Sequence, residues 1–151
     1  MIPIGISEIL KAVDGTLLWG DENGVVTNVV TDSRKAGKGS LFVPIVGERV
    51  DAHRFIPQVM QAGAGVTFSS RKDVAPAASG CCIYVEDTLA ALQKAAAYYR
   101  SRFDIPVIGV TGSVGKTTTK EMISAVLEKK YRVVKTQGNC CLLYTSPSPR
   151  D

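Results

Sequence analysis

One segment in the second half of the chain, Gly112-Ser-Val-Gly-Lys-Thr-Thr118, combines the groups that a polyphosphate needs. Glycines let the backbone approach an anion closely, and several N–H groups converge on it where a helix begins. Lys116 can reach the β- and γ-phosphates, and the Thr117 hydroxyl can hold Mg²⁺. The pattern predicts a nucleotide phosphate site formed by Gly112, Ser113, Val114, Gly115, Lys116, Thr117 and Thr118.

The segment is a variant of the usual phosphate-binding loop. The strict pattern G-x-x-x-x-G-K-[ST] needs glycine at position 110, where this chain has Val, with Gly109 one position earlier. The glycine spacing does not match the dinucleotide pattern G-x-G-x-x-G either. The alternative is a glycine-rich turn with an exposed lysine at a helix start, where the helix dipole disfavours a cation. We therefore favour nucleotide binding.

Two polar groups in the first half of the chain are further candidates. Ser33 and Arg34 follow a predicted strand, and a hydroxyl and a guanidinium there could meet a diphosphate. The alternative is a turn in which Asp32 accepts backbone hydrogen bonds and Arg34 is solvated. Asp51 and His53 flank a loop before a predicted helix. For a lone histidine a local hydrogen bond is the default, and without a second ligand nearby we expect no metal there.

Alternating elements position these groups in the first hundred residues. Apolar residues at helical spacing predict a helix that begins near Ile6 and is stopped at Gly15. Residues rich in β-branched or apolar side chains between turn formers predict strands at 25–31, 41–46, 66–69 and 81–85. Helices are predicted at 53–62 and 88–103, the second capped by Asp87. Alternating strands and helices indicate an α/β fold.

A second domain is predicted to begin at Asp104, because Pro106 cannot continue the preceding helix. A strand at 107–111, a helix at 117–130 and a strand from 132 would form one βαβ unit around the phosphate loop. The helix is expected to turn its apolar side inward, with Met122, Ile123, Val126 and Leu127. The predicted domains are therefore 1–103 and 104–139.

The last residues, 140–151, do not continue this pattern. They are rich in turn formers and have neither helical nor strand periodicity. One permitted back-translation of residues 141–151 reads in frame as the transposon-end adapter of sequencing libraries. We therefore interpret 140–151 as translated adapter, exclude it from the fold, and expect the natural protein to be cut at about Asn139.

Composition excludes several classes of function. The net charge of +4 is mild and the 18 basic residues are scattered, so nucleic-acid binding is not expected. No run approaches the roughly 20 apolar residues of a membrane span, and no export signal is recognisable, so we expect a cytoplasmic protein. The four cysteines form two adjacent pairs, a spacing that fits neither a metal site nor a disulfide framework.

The phosphate segment resembles the ATP-binding loop of the Mur ligases, the ATP-dependent amide-forming enzymes of peptidoglycan synthesis. The same variant loop occurs in that family, and Ser-Val after Gly112 is most similar to the member that adds D-alanyl-D-alanine. The first half is similar to the substrate domain of that member. The matching segments are Thr31-Asp-Ser-Arg34, Gly39-Ser-Leu-Phe42, Gly47-Glu-Arg-Val-Asp-Ala-His-Arg-Phe55, Gly63-Ala64 and, after the second domain begins, Thr136-Gln-Gly-Asn139.

The resemblance implies a small N-terminal α/β substrate-binding domain followed by the first βαβ unit of a truncated P-loop ATPase domain. In the family reaction, ATP phosphorylates a carboxylate of a UDP-N-acetylmuramoyl-tripeptide, and D-alanyl-D-alanine displaces phosphate from the acyl phosphate. The implied catalytic residues are Lys116 and Thr117, with Thr117 on Mg²⁺. The implied contacts to the UDP-sugar are Ser33, Arg34, Asp51 and His53. The family's other groups lie beyond the cut, so this chain alone is expected to be inactive.

Two other classes remain open from the sequence. A sister Mur ligase or a folylpolyglutamate-type ligase would share the segment 109–121, but should lack the Asp-Ser-Arg and Asp-Ala-His features together. A non-catalytic module that binds a nucleotide sugar is the second possibility. The oligomeric state is not predictable from this sequence.

Overall fold

The computed structural model describes residues 2–47 and 50–136, and these form two compact units. Unit 1 comprises residues 1–101, and unit 2 begins at Arg102. Each unit is described by itself below. The interpretation of 140–151 as adapter, and the segment from Gln137 to Asn139, lie outside the described residues.

A five-stranded sheet forms the centre of the described part of unit 1. Its strands are β2 (Thr16–Trp19), β4 (Asn28–Val30), β5 (Ser40–Phe42), β6 (Val66–Ser69) and β7 (Cys81–Tyr84), in the order β2-β7-β6-β5-β4. The pairs β4–β5, β5–β6 and β6–β7 are parallel, whereas β2 runs antiparallel to β7. Two short strands, β1 (Ile4–Gly5) and β3 (Val25–Val26), pair separately. The α/β class predicted from the sequence is confirmed.

Helices cover both faces of this sheet. Alternate residues of a strand point to opposite faces, and here each face carries apolar side chains that a helix buries. Helix α1 (Ile6–Ala12) and helix α3 (Thr88–Ser101) lie on one face, over a cluster that includes Leu41, Phe68 and Ile83. Helix α2 (Ile56–Gln61) lies on the other face, where Ile56 and Val59 pack on Phe42. We call these the α1/α3 cluster and the α2 cluster. Phe42 and Phe68 are fully buried, one in each cluster.

The bounds of the strands differ from the prediction at positions where pairing with another strand determines them. The predicted strand at 25–31 divides at Thr27, because β3 pairs with β1 whereas β4 pairs with β5. Strand β5 ends at Phe42 rather than at residue 46, and Pro44, two residues later, has no N–H to donate to a ladder. The prediction missed β2, which follows Gly15 directly. A Cβ at Gly15 would lie 2.5 Å from Cγ2 of Ile83, so glycine is required where β2 approaches β7.

Two 3₁₀ turns shape the loops of unit 1. The first spans Ser33–Lys35, and the second spans Ala52–Phe55 and leads directly into α2. The sequence predicted one continuous helix over 53–62 instead. Pro57 stands in the first turn of α2, a position where its missing N–H costs nothing. The residues before it take the tighter 3₁₀ winding, which is common at the start of an α-helix.

Unit 2 contains the predicted helix, here α4 (Lys116–Leu127), but not the predicted strands. Residues 107–111 and 132–135 pair with no strand among the described residues, and Val107 and Val134 are 69% and 95% exposed. Of the four residues expected to face inward, Met122 and Val126 are 66% and 72% exposed, against the prediction, whereas Ile123 and Leu127 are half-buried. Within residues 102–136 this side of the helix borders a shallow apolar groove of about 320 Å³ lined also by Ile108.

The start of α3 provides a test of the fold. Asp87 Oδ1 accepts hydrogen bonds from the backbone N–H groups of Leu89, at 2.7 Å, and Ala90, at 3.1 Å. Removal of this cap by Asp87→Ala should destabilise unit 1 by about 1 kcal/mol. Chemical denaturation followed by circular dichroism measures the change. The neighbouring exposed residue gives the control, Glu86→Ala, and an equal loss in both variants would contradict the capping role.

Candidate functional site

The four parallel strands of unit 1 end at one edge of the sheet, which we call the carboxyl edge. The ladders align Val30 with Phe42, Phe42 with Thr67, and Thr67 with Cys82. The loops that leave β4 and β6 at this edge begin with Thr31 and Ser70. In open α/β sheets, ligands bind in the crevice outside the carboxyl ends of the strands. The predicted polar residues of unit 1 belong to the loops that follow β4 and β5.

The first 3₁₀ turn is organised by Asp32. Its Oδ1 accepts hydrogen bonds from the Arg34 backbone N–H at 3.0 Å and from Arg34 Nε at 2.9 Å, and its Oδ2 accepts from Nη2 at 2.7 Å. These side-chain bonds, followed by the backbone bond, lower the pKa of Asp32 to about 2. The Arg34 side chain remains 86% exposed. Ser33, half-buried, is the first residue of the same turn.

The second 3₁₀ turn begins in the same way, with Asp51. Its Oδ1 accepts the backbone N–H of His53 at 2.9 Å and lies 2.6 Å from Nδ1 of the His53 ring. The backbone bond, then the bond to the ring, lowers the pKa of Asp51. Only 3% of the His53 side chain is exposed, whereas Asp51 is 31% exposed. Of these two predicted contacts, only Asp51 presents appreciable surface.

The structure adds Ser70 and Arg71, which the sequence analysis missed. Nε2 of His53 accepts the Ser70 backbone N–H at 3.1 Å and lies 3.0 Å from Ser70 Oγ. Nη2 of Arg71 donates to Asp51 Oδ2, and the Arg71 side chain is 58% exposed. The signal was present, because Ser-Arg follows β6 as Asp-Ser-Arg follows β4. What the sequence did not show is that the turn of Asp51 meets the end of β6.

Both 3₁₀ turns lie on the same side of the sheet. Ala36, directly after the first turn, and Ala52, in the second, pack against the α2 cluster. The loop after β6 joins them there through Val74 and Ala77. Because β4 and β6 are separated by one strand, Val30 and Thr67 stand about 10 Å apart, which is two strand spacings, and β6 continues for two more residues. The structure thus brings the loops of Arg34, Asp51 and Arg71 together at one edge.

A groove lies at the opposite end of the sheet, where β5, β6 and β7 begin. It encloses about 660 Å³, and its lining includes Gly39, Gly65 and Gly80. The glycine at position 80 is required by backbone proximity, since a Cβ there would lie 2.8 Å from the carbonyl oxygen of Ala64. Among its lining residues, Asp21 and Lys38 are the only ionisable ones. We call this the amino-edge groove and consider it the weaker candidate for binding an anion.

The phosphate loop of unit 2 has the backbone that an anion site needs. Gly112 and Gly115 have φ values of +147° and +80°, in the region that glycine reaches readily. Gly115 is the N-cap of α4 and provides no side-chain cap, and the first turn contains no acidic residue. The helix start therefore offers N–H groups and a positive dipole end to an anion. Residues 112–118 are all exposed.

Lys116 and Thr117, the two predicted catalytic residues, occupy the first two positions of α4. Nζ of Lys116 donates to the carbonyl oxygens of Gly112 and, at 3.4 Å, of Ser113, so its ammonium lies over the loop. Within the described residues, no cluster of three or more His, Cys, Asp or Glu side chains could hold a metal ion. A single hydroxyl such as that of Thr117 fits Mg²⁺, because this ion usually keeps several waters and is shared with substrate phosphates.

Family models match both units of the chain. The Mur ligase family catalytic domain matches residues 25–100, and the Mur ligase middle domain matches residues 110–149. The chain belongs to the Mur ligase family. The second match extends into the segment that we interpret as adapter, and that interpretation stays a prediction. In this Mur ligase chain, no helix of the described residues has the length and apolar character needed to cross a membrane.

Individual relatives agree with the family. The chain is 45% identical over 140 residues to UDP-N-acetylmuramoyl-tripeptide–D-alanyl-D-alanine ligase of Bacillus subtilis, a match that covers 92% of the chain and 31% of that ligase. A crystal structure of MurF from Acinetobacter baumannii matches with a TM-score of 0.82 and 34% identity, over 91% of the chain and 30% of MurF. MurF from Thermotoga maritima in complex with ADP matches with a TM-score of 0.69 and 35% identity, over 79% of the chain and 27% of that protein. The chain thus spans about a third of these relatives.

The Asp32–Arg34 pair of this Mur ligase chain gives a prediction about pH. The pKa of Asp32 in the folded chain is lowered to about 2 from an ordinary 3.8, so the ion pair is complete above that ordinary value and is lost as the pH falls towards 2. Arg34→Gln should raise the midpoint of the Asp32 carboxyl titration, measured by ¹³C NMR, towards 3.8. Lys35→Gln is the control and should change the midpoint little. A midpoint near 3.8 in the unaltered chain would contradict the pairing.

Proposed function

We propose that this chain is part of an ATP-dependent ligase of peptidoglycan synthesis that joins D-alanyl-D-alanine to a UDP-N-acetylmuramoyl-tripeptide. The observation that supports this most is the pairing of two features in one chain. The phosphate loop at the start of α4 belongs to unit 2, and the polar carboxyl edge belongs to unit 1. The high similarity to the Bacillus subtilis ligase favours this substrate pair.

In this proposal, unit 1 binds the UDP-sugar at the carboxyl edge. Arg34 offers N–H donors to the diphosphate, and the bidentate pairing with Asp32 fixes their direction. Ser33 lies beside it and contributes a hydroxyl. The Asp51 carboxylate is paired with the His53 ring and with Arg71, and His53 is almost fully buried. We therefore propose an indirect role for Asp51 and His53, in place of the direct contacts that the family resemblance implies.

Unit 2 binds ATP in the same proposal. The N–H groups of residues 112–118 surround the phosphates, and the ammonium of Lys116 moves from the loop carbonyls to the β- and γ-phosphates. Thr117 would hold Mg²⁺, which offsets negative charge on the phosphates when it is bound. Lys116 then stabilises the charge that develops as the γ-phosphoryl group passes to the substrate carboxylate. The acyl phosphate so formed is attacked by the amine of D-alanyl-D-alanine.

The chain matches about a third of its full-length relatives. The family resemblance implies that the groups for the dipeptide and for adenine belong to the remaining part. We expect this chain to bind the UDP-sugar without ligating it. We also expect a cytoplasmic location, where ATP and nucleotide sugars are available.

The phosphate loop gives the test of this function. In the full-length enzyme, Lys116→Ala should reduce ATP turnover by at least about a hundredfold, since a preorganised donor on developing charge contributes a factor of that size. ADP release in the presence of both substrates is the measurement. Lys129→Ala removes an exposed cation beyond the other end of α4 and should leave turnover nearly unchanged. Near-normal turnover in Lys116→Ala would refute the assignment.

A further inference from the structure

Arg71, the second residue after β6, lies at the carboxyl edge and is not among the ligand contacts proposed above. Its side chain is 58% exposed. The contact from its Nη2 to Asp51 Oδ2 engages one of the five N–H donors of a guanidinium. The side chain is therefore anchored to a carboxylate and still presents surface to a ligand.

His53 determines how that anchor is held. A backbone N–H can only donate, so the bond from Ser70 N–H to His53 Nε2 requires a lone pair on Nε2. The ring proton of the neutral form is then on Nδ1, which donates to Asp51 Oδ1 at 2.6 Å. The buried ring thus ties the carboxylate of Asp51 to the strand end from which Arg71 extends. Such second-layer bonding fixes the orientation of the group that meets a ligand.

We propose that Arg71 binds the diphosphate of the nucleotide sugar together with Arg34, and that Asp51 and His53 are positioning residues for its guanidinium. This assignment rests on the proposed function, because it names a further contact at the same site. Each of the two arginines is held by an aspartate that caps a 3₁₀ turn. Their strands lie about 10 Å apart in the sheet, and their loops pack on the same side of it, a separation that a diphosphate between two long side chains can bridge.

Because of the two aspartates, the orientation of the arginine N–H donors should affect ligand affinity more than the charge of the arginines. Asp32 and Asp51 neutralise much of the charge on the two guanidinium groups. Affinity then depends on N–H donors that already point at the phosphate oxygens, because fixed donors lose less freedom when the ligand binds. An arginine without its anchor keeps its charge but loses this advantage.

Calorimetry on the chain tests the contact, with UDP-N-acetylmuramoyl-tripeptide and UDP as separate ligands. Arg71→Gln should weaken the binding of both about tenfold or more, the effect of losing a charge-assisted hydrogen bond. Lys72→Gln removes the same charge one residue later and should have a much smaller effect. Equal losses in the two variants would show that net charge alone matters and would overturn the assignment. If Arg71→Gln weakens the binding of UDP-N-acetylmuramoyl-tripeptide but not that of UDP, the assignment is also overturned, since Arg71 would then contact a part of the ligand other than the diphosphate.

A double-mutant cycle tests the positioning residues. Asp51→Asn retains a good N-cap but loses the ion pair, and His53→Asn alters the ring contacts. Each should weaken binding in the unaltered chain and add little in the Arg71→Gln background, because both act through Arg71. Equal losses in both backgrounds would show a merely structural role. If His53→Asn does not fold, Asp51→Asn, at a partly exposed position, decides the question.

The outcomes separate this inference from the proposed function. If the unaltered chain binds neither UDP nor the UDP-sugar, the function proposed for unit 1 is wrong, and the role of Arg71 is wrong with it. If the unaltered chain binds both and Arg71→Gln binds them equally well, only the role of Arg71 is refuted. Thermal unfolding of every variant, measured alongside, shows that each binding measurement concerns folded protein.

Discussion

The parallel pairing of β4, β5, β6 and β7 is the constraint on which the arrangement of unit 1 depends. Parallel strands end at one edge, so the loops that follow them must emerge side by side. The register keeps Val30, Phe42, Thr67 and Cys82 in one row, so β4 and β5 end at the same level and β6 and β7 extend two residues further. Burial on both faces fixes that register, since a slip by one residue would turn the apolar side chains to the wrong faces.

Aspartates then convert this edge into an ordered polar surface. Asp32 and Asp51 both begin a 3₁₀ turn by accepting the N–H two residues ahead, and both hold an arginine. Capping and ion pairing use different lone pairs of the same carboxylates, so one side chain fixes both the turn and the cation. In unit 2, the backbone does the equivalent work, because the loop glycines and the start of α4 provide the donors.

Local sequence signals predicted much of this structure. Strand β6 lies where the apolar run 66–69 predicted it, and Asp87 caps α3 as expected, because both depend on neighbours in the sequence. Features that depend on distant partners were missed. Pairing between distant segments determines that the strand divides at Thr27 and that β2 forms, and packing determines which side of α4 is buried. No local sequence pattern contains that information. The link from His53 to Ser70 is of the same kind.

The central claim is that the carboxyl edge of unit 1, rather than the amino-edge groove, binds the nucleotide sugar. Amide chemical shifts of the ¹⁵N-labelled chain, recorded as UDP-N-acetylmuramoyl-tripeptide is added, test it most directly. The account predicts the largest changes at Ser33, Arg34, Ser70 and Arg71, with little change at Gly39, Gly65 and Gly80. Changes concentrated at those three glycines, with the carboxyl edge unaffected, would contradict it.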